Sequence, residues 1–150
     1  STSTSNCKWV FVKSYEAFDS RLAVLETARF QDLDNDYVAS GCTYIYEQVL
    51  GISISLLKRL LEYEGATLAA SGSPRAILKE AYRFYDFIDE AAWLDILRDR
   101  NTNVHIYDNK LAQDLIERIL SIYIPAFCQL RDGLLSHYGD FLLAPDDQFV

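Results

Sequence analysis

Apolar residues recur three and four positions apart along almost the whole chain. Phe11, Tyr15, Phe18, Leu22 and Leu25 are spaced by 4, 3, 4 and 3, the rhythm that gathers side chains on one helical face. This predicts a first helix over about Lys8–Phe30. The run QDLDND (31–36) is a polar linker rich in residues that start helices. A second helix, about Asn35–Glu64, carries two apolar stripes. One is Val38, Cys42, Ile45, Val49, Ile52, Leu56 and Leu60; the other is Tyr46, Leu50, Ile54, Leu57 and Leu61. A helix apolar on two faces is buried on two faces. One face serves the bundle, and the other asks for a further helix or a second subunit. Gly41 and Gly51 inside this helix each cost roughly 1 kcal/mol against Ala, which close helix packing would offset.

Gly65–Gly72 reads as a loop of small residues. Ser73-Pro74 is an N-cap followed by Pro at the first helical position, and the third helix runs to about Tyr85 with Ile77, Ala81 and Phe84 inward. Asp89 caps a fourth helix whose apolar face is Ala92, Trp93, Ile96 and Leu97. It frays near Asn101–Asn103, because Asn and Thr side chains compete for helical hydrogen bonds. Asp108 or Asn109 starts a long fifth helix with the stripe Ile116, Leu120, Tyr123, Phe127, Leu130 and Leu134, and Pro125 should kink it. The expected fold is all-α: a mostly antiparallel, up-and-down bundle of about five helices, dimerising through the second. Residues 1–7 are expected to be a disordered tail, 8–137 the bundle and 138–150 a C-terminal tail.

Composition narrows the picture. The 150 residues hold six Gly and three Pro, too few turns for a many-stranded sandwich or barrel. The net charge of −8 means that any nucleic-acid contact needs a local basic cluster. The three cysteines, Cys7, Cys42 and Cys128, are scattered and form no CxxC. That argues against a disulfide framework or zinc site and for a reduced, cytoplasmic setting. No apolar run approaches the ~18 residues of a membrane span, and Ser1–Asn6 lacks the apolar core of a leader peptide.

The chemistry concentrates in LRDRNTNVHIYDN (97–109), where the apolar rhythm stops. His105 can take a proton from a ribose 2′-hydroxyl near neutral pH. Arg100 can hold a phosphate bidentately while charge builds on it. RNA supplies its own nucleophile, so metal-free phosphodiester cleavage needs no Ser or Cys. On one straight helix Arg100 and His105 point roughly 140° apart, so a bend at Asn101–Asn103 or a second subunit must bring them together. By chance alone such a pair is common, and Tyr107 by itself reads as a packing aromatic. A metal site from His105, Asp108 and Glu47 has too few strong ligands, so no metal and no cofactor is expected. Arg75, Lys79 and Arg83 form a basic stripe on the third helix. It reads as a solvated face beside Glu80 or, more sharply, as a weak RNA-binding surface. His137, without an acidic or cysteine partner in sequence, reads as a surface residue.

These segments resemble the HEPN superfamily, and within it the nucleotidyltransferase substrate-binding proteins, also described as HepT-type toxins. The resemblance rests on LLKRLLEYEG (56–65), SPRAILKEA (73–81), DEAAWLDILRDRN (89–101) and HIYDN (105–109), in this order, and covers about Tyr15–Phe127. The run R-N-x-x-x-H-x-Y places its signature at Arg100, Asn101, His105 and Tyr107. The resemblance implies a homodimer in which the motifs of two subunits line one cleft. It also implies a partner, a minimal nucleotidyltransferase encoded nearby. Arg100 and His105 are then the ribonuclease residues, Asn101 and Glu47 support them, and Tyr107 is the hydroxyl that the partner modifies with AMP. The sequence departs from the family pattern in the second helix, where Gly51 replaces a second acid and Ile54-Ser55 replace a Trp-Lys pair.

Three readings follow. The chain is an RNA-cleaving toxin, or a non-catalytic substrate-binding or regulatory subunit of a nucleotidyltransferase, or a helical dimer with a vestigial motif. The intact Arg100, His105 and Tyr107 favour the first; the acidity and the altered second helix favour the second.

Overall fold

The computed structural model describes residues 2–66, 72–102 and 108–142, giving the backbone alone for 2–7 and 140. Helix α1 (Thr2–Glu26) opens six residues ahead of its predicted start and ends in a 3-10 turn, Thr27–Phe30. Helix α2 (Asp36–Tyr63) begins where Asn35 caps it, its Oδ1 accepting from the N–H groups of Tyr37 and Val38. Helix α3 (Pro74–Phe84) follows the predicted Ser73 cap with Pro at the first turn. Helix α4 (Glu90–Thr102) starts at Asp89, whose carboxylate accepts from Ala92 N–H. Helix α5 (Asn109–Arg118) is capped by Asp108 and runs through a π turn, Ile119–Tyr123, into α6 (Ile124–Tyr138). Pro125 explains that turn. It cannot donate to the Ser121 carbonyl, and its ring crowds the preceding turn, so the ladder widens there. The expected kink thus takes the form of a π turn within one continuous rod.

The bundle is antiparallel where the pairing can be read. Phe11 meets Tyr63 at 5.3 Å between ring centroids while Arg21 donates to Gln48 at 2.6 Å, so α1 and α2 run in opposite directions. Asp99 bonds Arg118 while Trp93 packs on Phe127, so α4 opposes the α5–α6 rod. Helix α2 sits centrally, packed by α1, α3 and α5. Most of both stripes is therefore covered within one chain: Cys42, Val49, Leu56 and Leu60 of the first and Tyr46, Leu50, Leu57 and Leu61 of the second are buried, and Val38, Ile45, Ile52 and Ile54 are partly buried. The stripes themselves do not call for a second subunit.

Two expectations need correction. Gly41 and Gly51 do not mark close helix packing, since a Cβ at either would meet nothing within 4 Å. The tight approach is at Gly133, where a Cβ would lie 2.1 Å from Cγ of Phe87. Phe84 is not inward: it is 41% exposed. The helix ends there, and the extended backbone of Tyr85 turns that ring into the core in its place. His137, exposed as expected, packs edge-on against Tyr85 at 5.5 Å. Among the described residues no helix is long and apolar enough to cross a membrane.

Candidate functional site

Helices α3 and α4 are joined by a short connection and run antiparallel, so the start of α3 lies beside the end of α4. Between them is a cleft of about 430 Å³. Ser73, Pro74 and Arg75 form its α3 side. Leu97, Arg98, Arg100, Asn101 and Thr102 are among its α4 residues. The cleft thus collects three arginines in a chain whose net charge is −8.

The three arginines are not equivalent. Arg98 is tied to Asp95 at 2.5 Å on its own helix. Among the described residues neither Arg75 nor Arg100 has a carboxylate partner, and both are exposed. Two uncommitted guanidinium groups on one cleft, each with planar donors suited to a phosphate, make this a local anion-attracting surface. Arg100 also sits in the last turn of α4, where a cation favours the helix dipole.

Beneath this surface α4 is clamped from the other side. Asp99 accepts two bonds from Arg118, at 2.8 Å from Nε and 2.9 Å from Nη2, and a third from the Tyr123 hydroxyl. The Asp99 side chain is only 10% exposed. Burial, reinforced by the Asp99 hydrogen bond, pushes the Tyr123 hydroxyl well above its ordinary pKa, and the same carboxylate holds the Arg118 guanidinium up. The Tyr123 ring stacks on Tyr46 at 5.7 Å. The clamp ties the end of α4 to the π turn. It was missed in the sequence, although a signal was present: Asp99 lies three residues after Ile96 and Arg118 three after Leu115, so each puts a charge on an apolar helical face.

Of the predicted site residues, Arg100 and Asn101 line the cleft. His105 and Tyr107 lie outside the described residues, in the segment 103–107 that begins directly after Thr102 on the cleft's rim. Glu47 is exposed on α2 and is not part of the cleft lining. The basic stripe divides. Arg75 lines the cleft, Lys79 is exposed and not part of the lining, and Arg83 stands 3.7 Å from Glu80. Asp108, named in the metal reading, is engaged as the α5 cap and accepts from Lys110 and Leu111 N–H. Among the described residues no cluster of His, Cys, Asp and Glu could hold a metal ion.

A second cleft, of about 330 Å³, lies where α2 and α5 begin, with Asp34 and Asp36 on one side and Asn109 and Gln113 on the other. Its carboxylates make it unfit for a polyanion. The arginine cleft can grip a phosphate, but among the described residues no histidine or carboxylate lines it.

The model of one protein family, described as nucleotidyltransferase substrate binding protein like, matches residues 13–136. The match runs from the middle of α1 to near the end of α6, and both Arg75 and Arg100 fall within it. No curated protein matches the chain.

Proposed function

Because the chain belongs to the nucleotidyltransferase substrate binding protein-like family, we propose that it acts as a HEPN-type toxin. In this reading it is a metal-independent endoribonuclease that a partner nucleotidyltransferase silences by transferring AMP to Tyr107. The observation that carries the reading is the cleft itself. Arg100 stands uncommitted on its wall beside Arg75, and the chain leads from its rim straight into the segment bearing His105.

The chemistry assigns each residue a step. His105 takes the proton of a ribose 2′-hydroxyl, whose oxygen attacks the adjacent phosphorus. The bond to the 5′ oxygen breaks, leaving a cyclic phosphate and, once protonated, a 5′-hydroxyl. Arg100 holds the charge that builds on the phosphoryl oxygens, and Asn101 on the same wall supplies a polar contact. Silencing proceeds by attack of the Tyr107 hydroxyl on the α-phosphate of ATP, with pyrophosphate leaving. An added phosphate beside Arg100 then pairs with the guanidinium and fills the cleft. The acting species is a homodimer whose two motifs line one cleft, with Glu47 in support. RNA is the substrate and the partner nucleotidyltransferase the antitoxin, in the cytoplasm.

A test combines three arms. The wild type is expected to cut RNA in the presence of a chelator, and Arg100→Ala and His105→Ala to lose at least about a hundredfold. With the partner and ATP, intact mass should rise by AMP in the wild type and not in Tyr107→Phe. Light scattering should return a dimer. Cleavage undiminished in both active-site variants refutes the catalytic assignment.

A second reading, a substrate-binding or regulatory subunit without cleavage, draws on the net charge of −8 and on Gly51 and Ile54-Ser55 in α2. It predicts nucleotidyltransferase binding with no RNA product in the same assay.

A further inference from the structure

The basic stripe of α3 presents three cations in sequence, yet the fold sends only one of them to the arginine cleft. Arg83 stands 3.7 Å from Glu80, and Lys79 is exposed and not among the lining residues. Arg75 faces the cleft from the α3 side while Arg100 faces it from α4. Arg98, the third cleft arginine, is held by Asp95. Two guanidinium groups that have no carboxylate partner among the described residues thus stand on opposite helices across one space of about 430 Å³, a volume suited to a small ligand or a short stretch of chain.

From this placement we propose that Arg75 is a second phosphate-binding residue of the cleft, holding a backbone phosphate of single-stranded RNA other than the one at Arg100. The inference deepens the ribonuclease reading and rests on it for the identity of the ligand. Its physical basis is separate: in a chain this acidic, an exposed arginine with no carboxylate partner among the described residues, across a cleft from a second one, creates local positive potential that an anion relieves. Two anchor points on one strand fix its direction across the cleft, which a single arginine cannot do. Arg75 takes no part in proton transfer; its contribution is to binding and register.

The probe is a labelled single-stranded RNA oligonucleotide, titrated by fluorescence anisotropy at several salt concentrations. The parent chain is His105→Ala, so that binding is read without cleavage. One phosphate contact on a single strand contributes about 0.7 to the slope of log K against log salt. Arg75→Ala is expected to lower that slope by about 0.7 and to weaken binding about fourfold at physiological ionic strength, by the same factor for unrelated sequences. Arg75→Lys should restore most of the slope, because the charge remains. Arg29→Ala is the control for lost net charge, since Arg29 lies over the Phe30 ring at 4.7 Å and is not part of the cleft. Helical circular dichroism confirms that each variant is folded. An unchanged slope in Arg75→Ala overturns the proposal, as does an equal loss in Arg29→Ala or a parent that does not bind RNA. The ribonuclease reading stands or falls separately, on cleavage by the wild type and its loss in His105→Ala.

Discussion

Asp99 and Arg100 are neighbours in sequence and meet opposite surroundings. Asp99 turns inward from α4 and accepts from Arg118 and Tyr123, with its side chain 10% exposed. Arg100 turns outward to the cleft, exposed and, among the described residues, without a carboxylate partner. The side chains of consecutive helical residues project about 100° apart, so the last turn of α4 can anchor the bundle with one residue and offer a cation to solvent with the next. The inward residue determines where the outward one stands. An unclamped helix end frays, and an arginine on a frayed end loses the fixed geometry that preorganised phosphate binding requires.

Breaking the inward side should give the largest effect. Asp99→Ala removes the acceptor of three hydrogen bonds and leaves the Arg118 charge and the buried Tyr123 hydroxyl without a partner. Arg118 is 32% exposed and can recover some hydration, so the cost should fall at the lower end for a broken buried pair, about 3 kcal/mol. Urea unfolding measures it directly. A loss below about 0.5 kcal/mol would show that the clamp is ornamental and that α4 is held by Trp93 and Ile96 alone.

Alkaline pH loosens the bundle away from the clamp, at the tyrosines of α3's C-terminal end, without a mutation. Burial is the main cause that pushes the Tyr85 hydroxyl from its ordinary 10.0 to about 12, with the Tyr138 hydrogen bond acting against it; Tyr82 is likewise raised to about 12. The folded chain keeps these protons at a pH where the unfolded chain has released them. Stability is therefore fully present below pH 10 and falls as pH rises from 10 towards 12. The limiting slope is about 1.4 kcal/mol per pH unit for each such tyrosine. Unfolding free energies taken across this range should show the decline, and Tyr85→Phe should make it shallower. Among the described residues no tyrosine lines the cleft, so the outward side should change only when the bundle itself opens.

This division between sides also explains what could be read from the sequence. The caps at Ser73 and Asp89 were legible because N-cap chemistry is settled within three residues. The core stripes of α1 and α4 were legible because periodicity is local as well. Phe84 was misplaced because periodicity does not say where a helix stops, and one residue beyond the end the chain turned Tyr85 inward instead. The double stripe of α2 reported burial correctly but not the covering partner, and helices of the same chain cover both faces. The Asp99–Arg118 clamp joins residues nineteen apart across a connection, so it depends on tertiary packing. At the candidate site, the motif marked the cleft by Arg100 and Asn101, whereas the participation of Arg75 needed α3 and α4 to be placed side by side.

The smallest expected change in stability tests the comparison most sharply. Arg100→Ala removes an exposed side chain with no carboxylate partner among the described residues, so the bundle should lose no more than about 0.5 kcal/mol, including whatever the cation contributes at the end of α4. Its loss of function should nevertheless be large if the guanidinium holds the phosphate in the transition state. Unfolding and RNA cleavage measured on the same preparation separate the two roles. A variant that unfolds as the wild type does and no longer cuts places Arg100 wholly on the outward side. A variant that loses stability on the scale of Asp99→Ala makes Arg100 part of the clamp, and the functional reading of the cleft then has to stand on Arg75 alone.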